Sequence, residues 1–513
     1  MMTPYTPTET PAGTVTRADV RPTATTGGGL DATAGTPAGT TDAGPAGTTL
    51  TVRPGRGAGP GPEHPPIPDS LLRIGRLASS YGLVNRVTRL PVAEGEPDFP
   101  IFTASLGNPG EVLSEQTGWE HNPSSGNFDG AGGDLDPERA AHLAVAESLE
   151  RYSSCARDPE QIVWATAAEL GEDAIPSDRW PRCSPAELAD PRSGLVPTDP
   201  DGPMRWVRGW SFTRNRPVYV PAMQVWLKNP VESIAERYVH PVSTGCAAHS
   251  DPAAAVVNGI LEIVERDAIA LTWLQRLRLP RLEFDPAELA PEYRAFVERG
   301  SSERLRTRLY DATTDLGIPV IYGVQLADDD RVIAQLVAAT AELDPGKGIA
   351  KLYREASSLR IALRHMARAA EKDAATTAPA AEEDIVSVVD GALLSGPLSQ
   401  RHRFDFLLEG ERPVHGLRDL PRAPSEEPLP ALAWLLERLH AAGCEVVAVD
   451  LTTDEAEQVG ATVVRMLVPQ LMPLSFVHRA RYLAHPRLYA APAAMGHPVR
   501  GEADINPHPQ PFA

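Results

Sequence analysis

Paired glutamates and an arginine recur at one fixed spacing in this chain. The pattern D-P-x9-E-x2-E-R occurs twice, and a third Asp-Pro pair is followed at the same distance by the first glutamate alone. Carboxylate oxygens are ligands that Mg²⁺ prefers, and such ions often bridge them to nucleotide phosphates. Arginine contacts phosphate directly. The candidate metal ligands are therefore Glu147, Glu150, Glu262, Glu265 and Glu355, and the candidate phosphate contacts are Arg151 and Arg266.

These side chains can meet only if helices position them. Asp at an N-cap with Pro at the first helical position starts a helix, so the pattern predicts helices over about 137–154, 252–274 and 345–370. Spacings of three and four place the glutamates and the arginine on one helix face. The ordinary alternative is a set of solvated ion pairs, as at any i,i+4 glutamate and arginine. Recurrence of the same register in two helices, and in part of a third, favours one shared site.

Composition excludes several classes of function. A net charge of −20 argues against nonspecific nucleic-acid binding. No apolar run is long enough to span a bilayer, and the N-terminus has no basic or apolar signal region. The four cysteines form no CxxC pair, so neither a zinc site nor a disulfide framework is indicated. The sequence therefore favours a reducing cytoplasm, with no nucleic-acid or membrane partner.

The chain divides into a tail and one large domain. Residues 1–66 are rich in Thr, Ala, Gly and Pro, with few large apolar side chains, so we expect them to be disordered. Residues 67–513 form the expected catalytic domain, which ends in a proline-spaced tail at 505–513. β-branched runs at 318–326 and 332–340 indicate a hairpin. Hairpins mixed with packed helices predict the α+β class.

Familiar catalytic loops are missing from the sequence. It contains no GxxxxGK[ST], GxSxG or HExxH motif. The small-residue stretch at 243–250, directly before the second motif helix, is compatible with an anion-binding loop and equally with a turn and N-cap. Cys246 lies in this stretch, but no neighbouring His or Lys pattern indicates a nucleophile.

Several segments together resemble one family. AESLERYSS and STGCAAHSDPAAAVVNGILEIVERDA are similar to the two E-x-x-E-R segments of YcaO-domain proteins. GCEVVAVDLTTDEAEQVGATVVRMLVPQLMPL resembles the C-terminal region of that family, and NPHPQPFA resembles its P-x-P-x-P terminus. The similarity covers about residues 75–513. It points to the peptide-modifying branch, whose cyclodehydratases make azolines in ribosomal peptides.

The resemblance implies a YcaO-type fold in which hairpin-rich sheets and packed motif helices surround an ATP cleft. It implies ATP and Mg²⁺ as cofactors and phosphorylation of a backbone amide oxygen, so that Cys, Ser or Thr residues of a precursor peptide become thiazoline or oxazoline rings. By the same resemblance, the five glutamates hold the metal and the C-terminal residues Pro511 and Ala513 assist catalysis. The nucleotide contacts implied in this way are Arg151, Thr244, Arg266 and Arg360.

Some positions depart from the family pattern. Gly133 stands where the family has the lysine of a G-K-G, Leu143 where it has a serine, and Ser358 where it has a glutamine. Thr244 and His249 differ from an asparagine and a glycine of the family's loop. Two alternatives therefore stay open: a YcaO enzyme that forms a thioamide or macroamidine, and a degenerate, non-catalytic scaffold subunit. The P-x-P-x-P terminus favours cyclodehydration over the first alternative, and the retained glutamates oppose the second.

The resemblance also implies partners. A ribosomal precursor peptide is the expected substrate. No E1-like or leader-binding domain is recognisable in the sequence, so we expect a separate partner protein to supply one. A homodimer is compatible with these expectations.

Overall fold

The computed structural model describes most of the chain, namely residues 66–106, 129–175, 179–372 and 382–512. The tail predicted for residues 1–66 lies outside these ranges except for its last residue, and Ala513 lies outside them as well. Within these ranges, no helix is long and apolar enough to cross a bilayer.

The described residues form twelve α-helices. In chain order they are α1 (Asp69–Gly75), α2 (Pro137–Ser153), α3 (Ala167–Leu170), α4 (Pro185–Ala189), α5 (Pro252–Leu274), α6 (Pro291–Gly300), α7 (Pro345–Lys372), α8 (Val388–Ser395), α9 (Asp405–Leu408), α10 (Pro428–Ala441), α11 (Asp454–Gln458) and α12 (Arg487–Ala494).

The strands of the same residues are mostly short. They are β1 (Arg86–Arg89), β2 (Ile101–Ser105), β3 (Gly130–Gly133), β4 (Ile162–Ala165), β5 (Met204–Ser211), β6 (Arg216–Pro221), β7 (Cys246–His249), β8 (Arg281–Leu282), β9 (Arg306–Asp311), β10 (Val320–Leu326), β11 (Gln335–Ala341), β12 (Val414–His415), β13 (Val447–Asp450) and β14 (Thr462–Leu467).

Three sheets are built from these strands. Their orders are β1-β2-β3, β11-β10-β9-β8-β12 and β4-β5-β13-β14-β7, with β6 paired to β5. The predicted hairpin is confirmed as β10 and β11, which pair antiparallel with Val320 opposite Ala341. The mixture of helices with mostly antiparallel sheets confirms the α+β class.

The three Asp-Pro pairs begin α2, α5 and α7, as predicted. Asp251 caps its helix by accepting the N–H of Ala254 at 3.0 Å, and Asp344 accepts the N–H of Lys347 at 3.0 Å. Proline at the first helical position gives up no intrahelical hydrogen bond, because that N–H has no partner in a helix. The ends of the three helices lie close to the predicted ones.

The hairpin sheet lies between two of the motif helices. Val337 and Ala339 of β11 are buried in one core cluster with residues of α5, whereas Leu336 and Ala338 are buried in another with residues of α7. Alternate side chains of a strand point to opposite faces. Helices α5 and α7 therefore cover opposite faces of this sheet, while α2 packs on β2 and β3 of the first sheet.

One expectation about local structure is wrong. The stretch at 243–250 is not a plain loop but contains β7, which pairs with β14 so that Cys246 lies opposite Arg465. Its sequence, CAAH, lacks the β-branched residues typical of strands. Pairing with a neighbouring strand and packing against α5 outweigh that weak propensity.

Candidate active site

The first glutamate of α2 is held by its own helix and by the strand before it. Glu147 Oε2 accepts the N–H of Ala131 in β3 at 3.0 Å. Its Oε1 accepts a hydrogen bond from Arg151 Nη2 at 3.0 Å, one helical turn later. The strand lies directly on the helix, since a Cβ at Gly132 would meet the carbonyl oxygen of Ala140 at 2.2 Å. A side chain other than glycine would separate β3 from α2 and break this arrangement.

The first glutamate of α5 repeats these contacts. Glu262 Oε2 accepts the N–H of Gly245 at 2.9 Å, directly before β7. Its Oε1 is 3.4 Å from Arg266 Nη2, again at i,i+4. The equal spacing in the two sequences therefore corresponds to an equal local structure: strand, Asp-Pro helix, and a glutamate held between a backbone N–H and an arginine.

The second glutamate of α2 faces α5. Burial raises the pKa of Glu150 well above its usual range, and the charges of Glu262 and Glu147 raise it further, against the opposing effect of Arg151. The backbone N–H of Ala248 in β7 also opposes the rise in the pKa of Glu150. Helices α2 and α5 therefore bring the carboxylates of Glu147, Glu150 and Glu262 close enough for their charges to interact.

The second glutamate of α5 faces α7. Glu265 is 4% exposed, and its Oε2 accepts the N–H of Ala341, the last residue of β11, at 3.1 Å. Burial raises the pKa of Glu265 to about 7. The positive charges of Lys351 and Arg266 oppose that rise, while Glu355 on α7 adds to it. All three motif helices therefore contribute carboxylates to one region.

A lysine that the sequence analysis missed completes this region. Lys351 Nζ lies 3.8 Å from Glu265 Oε2 and 3.4 Å from Glu342 Oε1. Burial disfavours its charge, but Glu355, Glu342 and Glu265 outweigh burial and raise the pKa of Lys351. A sequence signal exists, because Lys351 precedes Glu355 by one helical turn and so shares its face.

The glutamate of α7 is partly exposed. Glu355 Oε1 accepts a hydrogen bond from Arg354 Nη2 at 3.1 Å, and its side chain is 33% exposed. A Cβ at Gly133 of β3 would lie 3.1 Å from Ser358 Oγ, so α7 also approaches the strand that holds Glu147. The third helix therefore approaches both the strand that holds Glu147 and the glutamate Glu265 of α5.

Two arginines of the site have unused donors. Among the described residues, neither Arg151 Nε nor Arg266 Nε has a hydrogen-bond partner, and Arg266 Nε lies 3.7 Å from Glu265 Oε1. Burial opposes the charge of both side chains, but the neighbouring glutamates outweigh it and raise the pKa of each. A buried guanidinium N–H without an acceptor is costly. Both arginines therefore fit an anionic ligand such as a phosphate.

The carboxylates fit a magnesium site in which water and phosphate oxygens supply the remaining ligands. Among the described residues, no group of three or more His, Cys, Asp or Glu side chains is arranged to hold a metal ion by itself. Mg²⁺ usually takes one or two carboxylates together with water and substrate phosphates, so such a cage is not required. Glu147, Glu150, Glu262, Glu265 and Glu355 are the residues that would supply these carboxylates.

The remaining predicted nucleotide contacts lie in different surroundings. Thr244 is partly buried and immediately precedes Gly245, whose N–H binds Glu262, so it borders the site. Arg360 instead donates from Nε to Glu96 at 2.6 Å and also pairs with Asp330. Arg360 is 1% exposed, and its guanidinium belongs to this separate ion-pair cluster.

The C-terminal tail is ordered against the core. Trp273 Nε1, near the end of α5, donates to the carbonyl of His508 at 3.1 Å, and the ring of Phe512 packs edge-on against Tyr322 at 5.8 Å. Pro511 lines a small cavity together with Leu359 of α7. Leu359 lies one helical turn after Glu355, so the tail reaches the neighbourhood of the site.

The cysteine of β7 has a structural environment. Cys246 is 3% exposed, and its sulfur accepts a hydrogen bond from Arg465 Nη1 at 3.2 Å. Burial raises the pKa of the Cys246 thiol, and the opposing effect of Arg465 is smaller. A buried, protonated thiol is a poor nucleophile, in agreement with the sequence analysis.

Comparison with known proteins identifies the family. A family model described as YcaO cyclodehydratase, ATP- and Mg²⁺-binding, matches residues 131–472. This segment includes all three motif helices and is well over half of the chain. The chain therefore belongs to the YcaO family, as its motifs predict.

Three individual proteins illustrate the relationship. An uncharacterized protein encoded in the tfuA 3′ region of Rhizobium leguminosarum bv. trifolii is 29% identical over 249 residues, covering 46% of this chain and 55% of that protein. A heterocyclase solved in complex with substrate and cofactor is 22% identical with a TM-score of 0.67, covering 86% of this chain and 57% of the other. The YcaO protein of Methanopyrus kandleri, bound with AMPPCP and Mg²⁺, is 21% identical with a TM-score of 0.53, covering 78% and 88%.

These structural similarities confirm a YcaO heterocyclase fold. The chain spans little more than half the length of the Rhizobium protein and of the heterocyclase.

Proposed function

We propose that this protein is an ATP- and Mg²⁺-dependent cyclodehydratase that forms azoline rings in a ribosomal precursor peptide. The observation that supports this most is the convergence of carboxylates from α2, α5 and α7 around two arginines whose Nε donors have no hydrogen-bond acceptor among the described residues. A buried cluster of like charges is unfavourable unless cations and an anionic ligand complete it. Membership of a family described as ATP- and Mg²⁺-binding supports the same assignment.

Different residues of the site would bind the metal ion and the phosphates of ATP. Glu147, Glu150, Glu262, Glu265 and Glu355 would hold Mg²⁺, which supplies positive charge between the carboxylates and the phosphates when it is bound. Arg151 and Arg266 would donate their Nε–H groups to phosphate oxygens. Lys351 would hold Glu265 in position through their close contact at 3.8 Å.

The proposed reaction replaces a poor leaving group. The side-chain thiol or hydroxyl of a substrate Cys, Ser or Thr loses its proton to a base as its sulfur or oxygen attacks the preceding amide carbon, and the former amide oxygen takes the terminal phosphoryl group of ATP. The bond between that carbon and oxygen then breaks, phosphate leaves, and the amide nitrogen loses its proton as the C=N bond forms. The products are the azoline, ADP and phosphate. We assign the assisting role in proton transfer to the C-terminal segment, Pro511 and Ala513.

We also propose that a separate E1-like or leader-binding protein delivers the peptide. A direct test combines this protein with its precursor peptide, that partner, ATP and Mg²⁺, and measures phosphate release and loss of water from the peptide. Glu262→Gln should abolish both, because it removes a charge of the site while keeping the acceptor for Gly245. Glu138→Gln changes an exposed glutamate of α2 and should leave both unchanged.

Other outcomes separate the alternatives. Phosphate release without loss of water would indicate a different YcaO chemistry. Unchanged turnover in Glu262→Gln would refute the site. Nucleotide binding without turnover in the complete system would favour a scaffold subunit.

A further inference from the structure

A second cavity lies away from the glutamates. Its volume is about 330 Å³, and it lies between the end of α5, the loop after β9, β12 and the residues that follow α12. Thr272 of α5 contributes to its wall and lies seven residues beyond Glu265, which is about 10 Å along the helix. The proposed reaction gives this cavity no role. Its volume is within the range of small-molecule sites.

A histidine and an aspartate share one wall of this cavity. His415 Nδ1 lies 2.8 Å from Asp311 Oδ2, and Asp311 Oδ1 accepts the N–H of Thr313 at 2.9 Å. A carboxylate only accepts hydrogen bonds, so the proton of the pair lies on Nδ1. A neutral His415 therefore keeps Nε2 as a lone-pair acceptor on a ring that lines the cavity.

The fixed charges on the residues that line the cavity are carboxylates, whereas Arg276 and Arg278 of the adjacent segment donate to backbone carbonyls of Asp504 and Glu409. Asp315, which also lines it, shares the guanidinium of Arg487 with the buried Asp267, at 2.8 Å and 2.7 Å. One positive charge thus serves two carboxylates. Among the described residues, the Asp311 carboxylate is bonded only to His415 and to the N–H of Thr313. None of the described residues that line the cavity is Lys or Arg.

Other walls of the cavity are apolar. Leu277 and Leu279 follow α5 and are buried, and Met495 covers part of the side formed by the end of α12. His497 adds no fixed charge, because burial lowers its pKa. An apolar wall beside an excess of carboxylate suits a ligand with a hydrocarbon stem and a positive, hydrogen-bond-donating head.

We propose that this cavity binds an organic cation of that kind, an alkylammonium or alkylguanidinium group. The stem packs on Leu277 and Leu279, and the head donates to Asp311 and to His415 Nε2. This chemistry has two sources, a free small amine or the basic side chain of a peptide. The proposal concerns a site apart from the ATP cleft and does not depend on the reaction proposed there.

The test uses the full-length protein at about pH 8. Binding of hexylamine and of hexanol is measured by ligand-observed NMR. We expect hexylamine to bind at least about tenfold more tightly than hexanol, because only the amine makes charged hydrogen bonds. Short blocked peptides with a central lysine or norleucine distinguish the sources: binding of the lysine peptide indicates a peptide side chain, and binding of hexylamine alone indicates a free amine.

Two variants localise the binding. Asp311→Asn keeps the acceptor for Thr313 but removes the charge, and it should weaken hexylamine binding by about tenfold or more. Ala494→Trp fills the mouth of the cavity from an exposed position and should block binding without unfolding the protein, as judged by thermal melting. Glu283→Gln removes an exposed carboxylate outside the cavity wall and should have no effect. Equal affinity for amine and alcohol, or unchanged amine binding in both cavity variants, would overturn the proposal.

Discussion

At the scale of residues, the candidate site places like charges together before any cation is bound. Glu265 is the clearest case, because it is nearly fully buried and its pKa is raised to about 7 by burial and by neighbouring carboxylates. The contact with Lys351 only partly offsets this effect. A buried carboxylate near other negative charges lowers the stability of the fold. A role in ligand binding explains why it is found there.

This placement predicts a pH dependence of stability. A pKa near 7 in the folded state, against an ordinary 4.5, means that the folded protein binds more protons between these values. The contribution of Glu265 to the free energy of unfolding is therefore fully present below about pH 4.5 and is lost as the pH rises through about 7. Urea unfolding of the ligand-free protein and of Glu265→Gln at a series of pH values measures it.

Comparing the wild type with Glu265→Gln isolates the effect of Glu265 on stability. Relative to Glu265→Gln, the wild type should lose stability as the pH rises from about 5 to about 8. If the difference in the free energy of unfolding between the two proteins stays constant, or shifts in favour of the wild type as the pH rises, the carboxylate is not destabilised by its surroundings.

Sequence reasoning at this scale succeeded for some residues and missed others. The glutamates and the first two arginines share a local pattern, so their common placement could be predicted. Arg360 could not be placed, because its partners Glu96 and Asp330 are distant in sequence. Lys351 has a local spacing from Glu355, but only the fold brings Glu265 beside it.

At the scale of elements, the site depends on strands that come directly before the motif helices. The helices were predicted closely, because Asp at the cap and Pro at the first position are local signals. Strands β3 and β7 were not, because GAGG and CAAH have low β propensity and gain their structure from neighbouring strands. These two strands, or the residue before them, supply the N–H groups that fix Glu147 and Glu262.

The turn before β7 yields a second prediction. Gly245 has a φ of +89°, and a Cβ there would lie 2.4 Å from the carbonyl oxygen of Met466. Gly245→Ala should therefore reduce the free energy of unfolding by at least about 2 kcal/mol and weaken nucleotide binding, since the N–H that holds Glu262 moves. Chemical unfolding and calorimetric titration measure the two effects.

Gly194 is a matched control for this substitution. It is in the left-handed region, with a φ of +69°, and a Cβ there would meet none of the described atoms within 4 Å. Gly194→Ala should cost only about 1 kcal/mol for the backbone conformation and leave nucleotide binding unchanged. Equal costs for the two substitutions would mean that the contact with Met466 does not constrain the turn.

At the scale of the whole molecule, the C-terminal tail is part of the core. Phe512 is 3% exposed and packs against Tyr322 of the hairpin sheet. Phe512→Ala should lower the free energy of unfolding by about 3 kcal/mol, because a buried ring leaves a cavity. Thermal melting measures this loss, and Leu429→Ala, at a site 71% exposed, should change stability little. A negligible effect of Phe512→Ala would show that the tail is not fixed to the core in solution.

The central claim is that three helices, distant in sequence, form one site for magnesium and nucleotide. The most direct measurement is calorimetric titration of AMPPCP with Mg²⁺ into the wild type and into one variant from each helix, Glu147→Gln, Glu262→Gln and Glu355→Gln, with Glu138→Gln as control. We predict one binding event in the wild type and the control, and at least about tenfold weaker binding in each of the three variants, since each loses a charged ligand. Wild-type affinity in the variants from all three helices would contradict the claim.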